Sequence, residues 1–269
     1  MEQNLKSEGM CYFCGKTFSK TGINRHLKAH LQKKTIENTK GRSRSYLVKI
    51  ETNPRWGSAP YFLSLWIDGK ATMVDIDDFL RDIWLECCDH GSAFCDPQVR
   101  RQRRRMWMWD DYFETADKLL EKGKIKQYEE MMEETNGDIA MSRKVNKVFH
   151  KDLKLEYEYD FGHSTELLLT VIEEYPIKAD QQIVLLSRNE PLEWLCDVCG
   201  KELATQICIV HGWGEDRMFC DDCGKKHAET CSDFGEYGAL PVVNSPRMGV
   251  CVYDGGIIDE ERDRIFIPK

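Results

Sequence analysis

The chain has 269 residues, a formal net charge of −8, and 41% hydrophobic and 10% aromatic residues. At about 150 residues per domain it holds one medium domain with attachments or two small ones, and its apolar content excludes a disordered chain. Met1–Met10 lacks the apolar core of a signal peptide and no run approaches the ~18 apolar residues of a membrane span, so a cytoplasmic protein is expected.

The charge is unevenly spread. Residues 1–45 contain ten Lys or Arg and three acids, which gives this arm +7 and leaves −15 for the remainder. A basic head on an acidic body points to a polyanion contact carried by one end rather than by the whole surface.

There are twelve cysteines and seven histidines. Without a secretory leader, free thiols or metal thiolates are expected ahead of disulfides. Cys11 and Cys14 are separated by two residues, Cys14 and His26 by eleven, and His26 and His30 by three. The cysteine pair suits a tight hairpin and the histidines lie one helical turn apart, so four ligands converge on one zinc ion. Phe18 and Ile23 supply a small apolar core, and the segment CYFCGKTFSKTGINRHLKAH resembles the two-cysteine, two-histidine finger family, one residue short between Cys14 and His26. Counting back from His26 places Ser19, Thr21, Gly22 and Arg25 at base-facing positions, of which only Arg25 is a strong base reader. One finger covers about three base pairs, so phosphate contacts from the extension Lys33–Arg44 would have to help. The expected contacts in this arm are Lys20, Arg25, Lys28, Lys33, Lys34, Arg42 and Arg44. Lone fingers also dock proteins, and both readings stay open.

Farther along, Tyr46–Thr52 and Tyr61–Ile67 read as strands, and Ile76, Phe79, Leu80, Ile83, Trp84 and Cys87 form the apolar stripe of a helix over about 75–88 with Asp75 as its cap. Residues 97–146 have the texture of an insertion. It opens with an arginine run that adds Arg101, Arg103 and Arg104 as nucleic-acid contacts, or else forms a solvated helix face, and residues 112–133 look helical. Leu153–Tyr159 and Thr165–Glu173 read as a hairpin around Gly162, followed by a strand at Gln182–Leu186. Segregated strands and helices indicate an α+β fold with a central antiparallel sheet.

The second cysteine cluster comprises Cys196 with Cys199, Cys208 with His211, Cys220 with Cys223, and His227 with Cys231. Four ligand pairs suit two zinc ions in a cross-brace, with pairs one and three on one ion and pairs two and four on the other. The arrangement resembles B-box and HIT-type fingers. A rival reading keeps only Cys196, Cys199, Cys220 and Cys223 as a one-metal ribbon. Three zinc ions per chain are therefore expected, or two for the ribbon. Cys87 reads as a buried small hydrophobe, and Cys88, Asp89 and His90 have no partner pattern for a hydrolytic site. His163 and Ser164 are adjacent on a turn without a third group, and neither a phosphate-cradling loop nor a dinucleotide fingerprint is present.

The phrases YLVKIE at 46–51, DDFLRDIWLECCDHGSAF at 77–94, LEYEYDFGHSTELLLTV at 155–171, LLSRNEP at 185–191 and LPVVNSPRMGVCVYDG at 240–255 together resemble the plasmid pRiA ORF-three-like family. Its members are often labelled TnpR-type passenger proteins of mobile elements. The resemblance implies an α+β fold and association with plasmids or transposons, and it brings no established reaction. The expected layout is a ββα zinc finger at 1–35, a basic linker at 36–45, an α+β core at 46–190, a cross-brace module at 191–235 and a C-terminal segment at 236–269 that folds back on the core. The expected function is a non-enzymatic zinc protein of a mobile element that contacts nucleic acid through its finger. The alternative is a protein-interaction adaptor that docks through the acidic core and the C-terminal module.

Overall fold

A computed structural model describes residues 5–37, 43–53, 60–99, 109–136, 138–210 and 217–258. The chain opens with the hairpin β1 (Glu8–Met10) and β2 (Thr17–Ser19), then helix α1 (Ile23–Glu37). Six strands build the main sheet: β3 (Ser45–Thr52), β4 (Phe62–Asp68), β5 (Ser92–Cys95), β6 (Lys154–Tyr159), β7 (Thr165–Tyr175) and β8 (Ile183–Arg188). Their order is β5-β6-β7-β3-β4-β8, with every neighbouring pair antiparallel.

Both faces of this sheet are covered, and strand alternation assigns the residues. Val48, Ile50, Leu63, Leu65, Leu155, Tyr157, Leu167 and Leu169 face one layer, where helix α2 (Met73–Leu80) and the π turn Arg81–Leu85 bring in Ile76, Leu80, Ile83 and Trp84. Leu47, Phe62, Trp66, Val184 and Leu186 face the other way and meet Ile23, Leu27 and Leu31 of α1. Those three recur at i, i+4 and i+8, the spacing of one helix stripe. The finger helix is thus a layer of the core. All seven residues of β4 are buried, as expected of a strand sandwiched between two layers.

The finger hairpin is joined to the sheet by main-chain bonds: Tyr12 N–H donates to Leu186 O at 2.9 Å and Glu190 N–H to Glu8 O at 2.6 Å. Gly9 lies against the end of β8, where a Cβ would sit 2.6 Å from Arg188 O and 2.8 Å from the Phe62 ring.

Several element boundaries differ from the sequence reading. Helix α2 is capped by Thr72, not Asp75: the Thr72 hydroxyl accepts from Asp75 N–H while the Asp75 carboxylate accepts from Thr72 N–H. This reciprocal pair is a capping box. The helix gives way to the π turn and ends at Leu85, before Cys87 and Cys88. The helical stretch read at 112–133 is two helices, α3 (Trp109–Glu121) and α4 (Ile125–Asn136), separated where Gly123 adopts a φ of +64°. Strand β5 pairs with β6 and has no counterpart in the sequence reading.

The C-terminal module contains β9 (Gln206–Cys208), β10 (Met218–Phe219), helix α5 (Asp221–Ala228) and β11 (Ala239–Pro241), with strand order β10-β9-β11. The chain then returns to the core through a buried polar network. The Asn189 side chain donates to Asn244 Oδ1 at 2.7 Å, and Arg188 donates to Asn244 O at 2.7 Å. Ser245 Oγ donates to Trp84 O at 2.6 Å. Arg247, fully buried, pairs with Asp160 at 2.6 Å and donates to His163 O at 2.8 Å. The RNEP, NSPR and YDFGHST phrases therefore meet as one junction.

Candidate metal centres

Among the described residues, four groups of cysteine and histidine bring their donor atoms within 4.8 Å of one another. The first is Cys11, Cys14, His26 and His30. Cys11 and Cys14 sit on the turn between β1 and β2, where Gly15 (φ +67°) donates its N–H to Cys11 O at 2.9 Å. The histidines project from successive turns of α1. Cys14 Sγ lies 3.2 Å from His26 Nε2, which is 3.0 Å from His30 Nε2. Phe18 stacks on His26 at 4.0 Å between ring centres. Burial, then the neighbouring His30, lower the pKa of His26, which favours the neutral imidazole that a metal requires.

The second group is Cys196, Cys199, Cys220 and Cys223, the four residues common to the cross-brace and ribbon readings. Gly200 repeats the Gly15 turn, with φ +62° and its N–H donating to Cys196 O at 2.9 Å. Cys199 and Cys220 sulfurs are 4.0 Å apart. A tetrahedral zinc with Zn–S bonds of about 2.3 Å places its sulfurs about 3.8 Å apart. Main-chain N–H groups of Glu202 and Lys201 draw Cys199 down to about 7. The Cys220 sulfur, with burial next, pushes Cys223 up to about 12.

The third group is Cys208, His227 and Cys231. These are three of the four residues that the ribbon reading leaves aside, and they come from β9, α5 and the turn after it. His227 stacks on Phe219 at 4.3 Å between ring centres, with Phe234 beside both. His211 lies outside the described residues. The two groups within 196–231 keep Cys196, Cys199, Cys220 and Cys223 apart from Cys208, His227 and Cys231, and thiolates with imidazoles form a donor set compatible with zinc.

The fourth group, Cys87, Cys88, His90 and Cys251, is absent from the sequence reading. Cys87 is half-buried against the main core rather than fully enclosed as a hydrophobe would be. Its fourth member, Cys251, comes from the far end of the chain, and no short spacing signals it.

The cations expected to contact nucleic acid have mixed surroundings. Lys20 pairs with Glu51 at 2.9 Å, Lys28 with Glu173 at 3.1 Å and Arg44 with Glu174 at 3.2 Å, and Lys34 pairs with Asp180. Lys34 also lies 5.0 Å from the centre of the Trp66 ring. Arg25 and Lys33 are exposed. Arg42, Arg101, Arg103 and Arg104 lie outside the described residues. His163 and Ser164 are split between different partners, the former giving its carbonyl to Arg247 and the latter donating to Glu158.

No helix among the described residues is long and apolar enough to cross a membrane. No protein-family model and no curated protein matches the chain. Among solved structures it is similar to the crystal structure of a protein of unknown function, MM3350, from Methanosarcina mazei Go1. That likeness has 11% identity and a TM-score of 0.33 over 55% of this chain and 68% of that chain, too low to carry an argument.

Proposed function

We propose that the chain is a non-enzymatic zinc protein that serves as a docking scaffold for a protein partner, in the mobile-element setting of the family it resembles. The observation that carries this reading is the engagement of the finger by its own body. The stripe of α1 is spent on the sheet, and Lys20, Lys28, Lys34 and Arg44 are matched by Glu51, Glu173, Asp180 and Glu174. A phosphate backbone would have to compete with these intramolecular carboxylates. The C-terminal module, by contrast, leaves apolar side chains in solvent: Val198 is 55% and Tyr237 63% exposed, with Leu195 and Val210 also exposed. With an acidic body beside them, these residues suit a partner that carries apolar and basic side chains.

The non-enzymatic part of this proposal draws its support from the lining of one depression among the described residues. An open depression of about 310 Å³ is lined by Ser43, Arg44, Asp68, Lys70, Asn146 and Lys147. Its carboxylate, Asp68, already accepts from the N–H groups of Lys70 and Ala179. Convergent carboxylates or histidines, the signature of acid–base work, do not line it.

Nucleic-acid contact is the second reading, favoured by the exposure of Arg25 and Lys33. Binding of duplex and single-stranded probes over a salt series separates the two, using wild type and a Lys20→Ala/Lys28→Ala/Lys34→Ala variant. The scaffold reading expects no salt-dependent binding by either protein and a less stable variant. A log–log salt slope that shrinks by about 0.9 for each phosphate contact removed would overturn it. A stoichiometric protein partner that survives nuclease treatment and is lost in Val198→Asp or Tyr237→Asp supports the scaffold.

A further inference from the structure

Cys87, Cys88, His90 and Cys251 come from two separate places: the loop between the π turn and β5, and the C-terminal segment after the Arg247 junction. Cys88 Sγ lies 3.6 Å from Cys251 Sγ, and Cys251 Sγ lies 3.8 Å from His90 Nε2. A tetrahedral zinc site sets sulfurs about 3.8 Å apart and a sulfur and an imidazole nitrogen about 3.5 Å apart. The donors of the other groups are comparably close, 3.2 Å between Cys14 Sγ and His26 Nε2 and 4.0 Å between Cys199 and Cys220 sulfurs.

Two other readings of the cluster fit less well. A cysteine nucleophile activated by His90 needs a third group on the far ring nitrogen. Asp160 Oδ2 instead stands 3.7 Å from Nε2, the atom facing Cys251, and Asp160 is already paired with Arg247. A Cys88–Cys251 disulfide uses two of the three thiols and leaves Cys87 and His90 without a role. A metal uses all four donors. It also accounts for Arg247: three thiolates around Zn²⁺ leave one excess negative charge, and the buried guanidinium places Nη2 3.6 Å from Cys87 Sγ. A cation at that distance offsets the excess negative charge of such a site. The positive φ of Cys251 and of Asp89, each 55°, turns the chain so that Cys251 and His90 face the same point.

We propose that Cys87, Cys88, His90 and Cys251 hold a structural zinc ion, additional to those of the finger and the cross-brace. The ion joins the C-terminal segment to the loop between the π turn and β5, and all four protein donors close its coordination shell. It cross-links residues 163 positions apart beside the junction formed by Ser245 and Arg247.

The test uses the full chain prepared under reducing conditions with zinc. Metal analysis of the Cys88→Ser/Cys251→Ser variant should give one zinc ion per chain fewer than wild type. A Cys14→Ser/His26→Ala variant should lose a different ion, and the combined variant should lose two. Because the count is a difference, failure of the finger or cross-brace assignments leaves it readable. A Cys88→Ser/Cys251→Ser variant that keeps the wild-type zinc content overturns the proposal.

Should that variant not fold, maleimide labelling of wild type decides. Cys88 and Cys251, though exposed, should resist alkylation in the zinc-loaded protein and react once a chelator is added. Reaction at the rate of free thiols before chelation, or recovery of the two residues as a disulfide-linked peptide, overturns the proposal.

Discussion

Gly9→Ala is a one-carbon change whose sign depends on whether the finger is seated on the sheet. Gly9 has no positive φ to protect, so in a free hairpin alanine would stabilise by about 0.4–1 kcal/mol through the unfolded chain. In the docked structure the added carbon meets three neighbours at once: Arg188 O and Ser187 Oγ at 2.6 Å and the Phe62 ring at 2.8 Å. Arg188 O is main chain on the last residue of a paired strand, and the Phe62 ring is enclosed between α1 and the sheet, so neither can yield cheaply. Overpacking of this kind costs about 1–3 kcal/mol. A net loss of that order lowers the melting temperature by roughly 2–12 °C for a domain this size. The assay is thermal unfolding at saturating zinc, combined with amide exchange at Tyr12, Ser187 and Arg188. The expected result is a lower midpoint and faster exchange at those positions with zinc content unchanged, since Gly9 is no ligand. A neutral or more stable variant with wild-type exchange would refute the docking of the finger.

Leu31 is fully buried between α1 and the sheet, and Leu31→Ala should destabilise the whole chain by about 2–5 kcal/mol in denaturant unfolding, where a solvent-facing helix position would lose almost nothing. Arg247→Met leaves the Asp160 carboxylate without its guanidinium and should cost about 3–5 kcal/mol by the same measurement, as expected when one partner of a buried pair is removed. Burial by itself would raise the pKa of Glu51, but Lys49 and Lys20 outweigh it and hold the carboxyl below its usual range. With the folded value depressed, this stabilisation is present above the ordinary glutamate range and is lost as pH falls through the folded value. Glu51→Gln should therefore be less stable than wild type by about 0.5–1 kcal/mol near neutrality, and the gap should close toward zero in acid unfolding below about pH 4.

The metal groups divide by the length scale of their signal. A Cys-x-x-Cys pair, or two histidines one turn apart, prepares half a tetrahedron within a few residues, and the finger group and the two groups within 196–231 are legible for that reason. Cys88 and Cys251 stand 163 residues apart, so their meeting depends on the six-stranded sheet and the returning C-terminal segment, which no local spacing encodes. Five of the six main-sheet strands are legible from alternation or from aromatic and β-branched runs, and β5 is not. The seating of α1 is not, because Leu27 and Leu31 look like the private core of any finger until Trp66 and Leu186 are placed opposite them. One clue was present: FLSLWID has a single polar residue, Ser64, before its terminal Asp68, and a strand so poor in polar alternation is buried on both faces. The end of α2 escaped because the apolar stripe continues through the π turn to Cys87, so periodicity alone carries the helix too far.

The central claim is that the finger belongs to the rigid body of the protein rather than being a separate reading head. Backbone ¹⁵N relaxation of the zinc-loaded full chain measures this directly by comparing the rotational correlation time of α1 amides with that of β3 and β7 amides. The account expects one shared correlation time for all three elements. A distinctly shorter time for α1, the mark of a finger tumbling on its own tether, would contradict it.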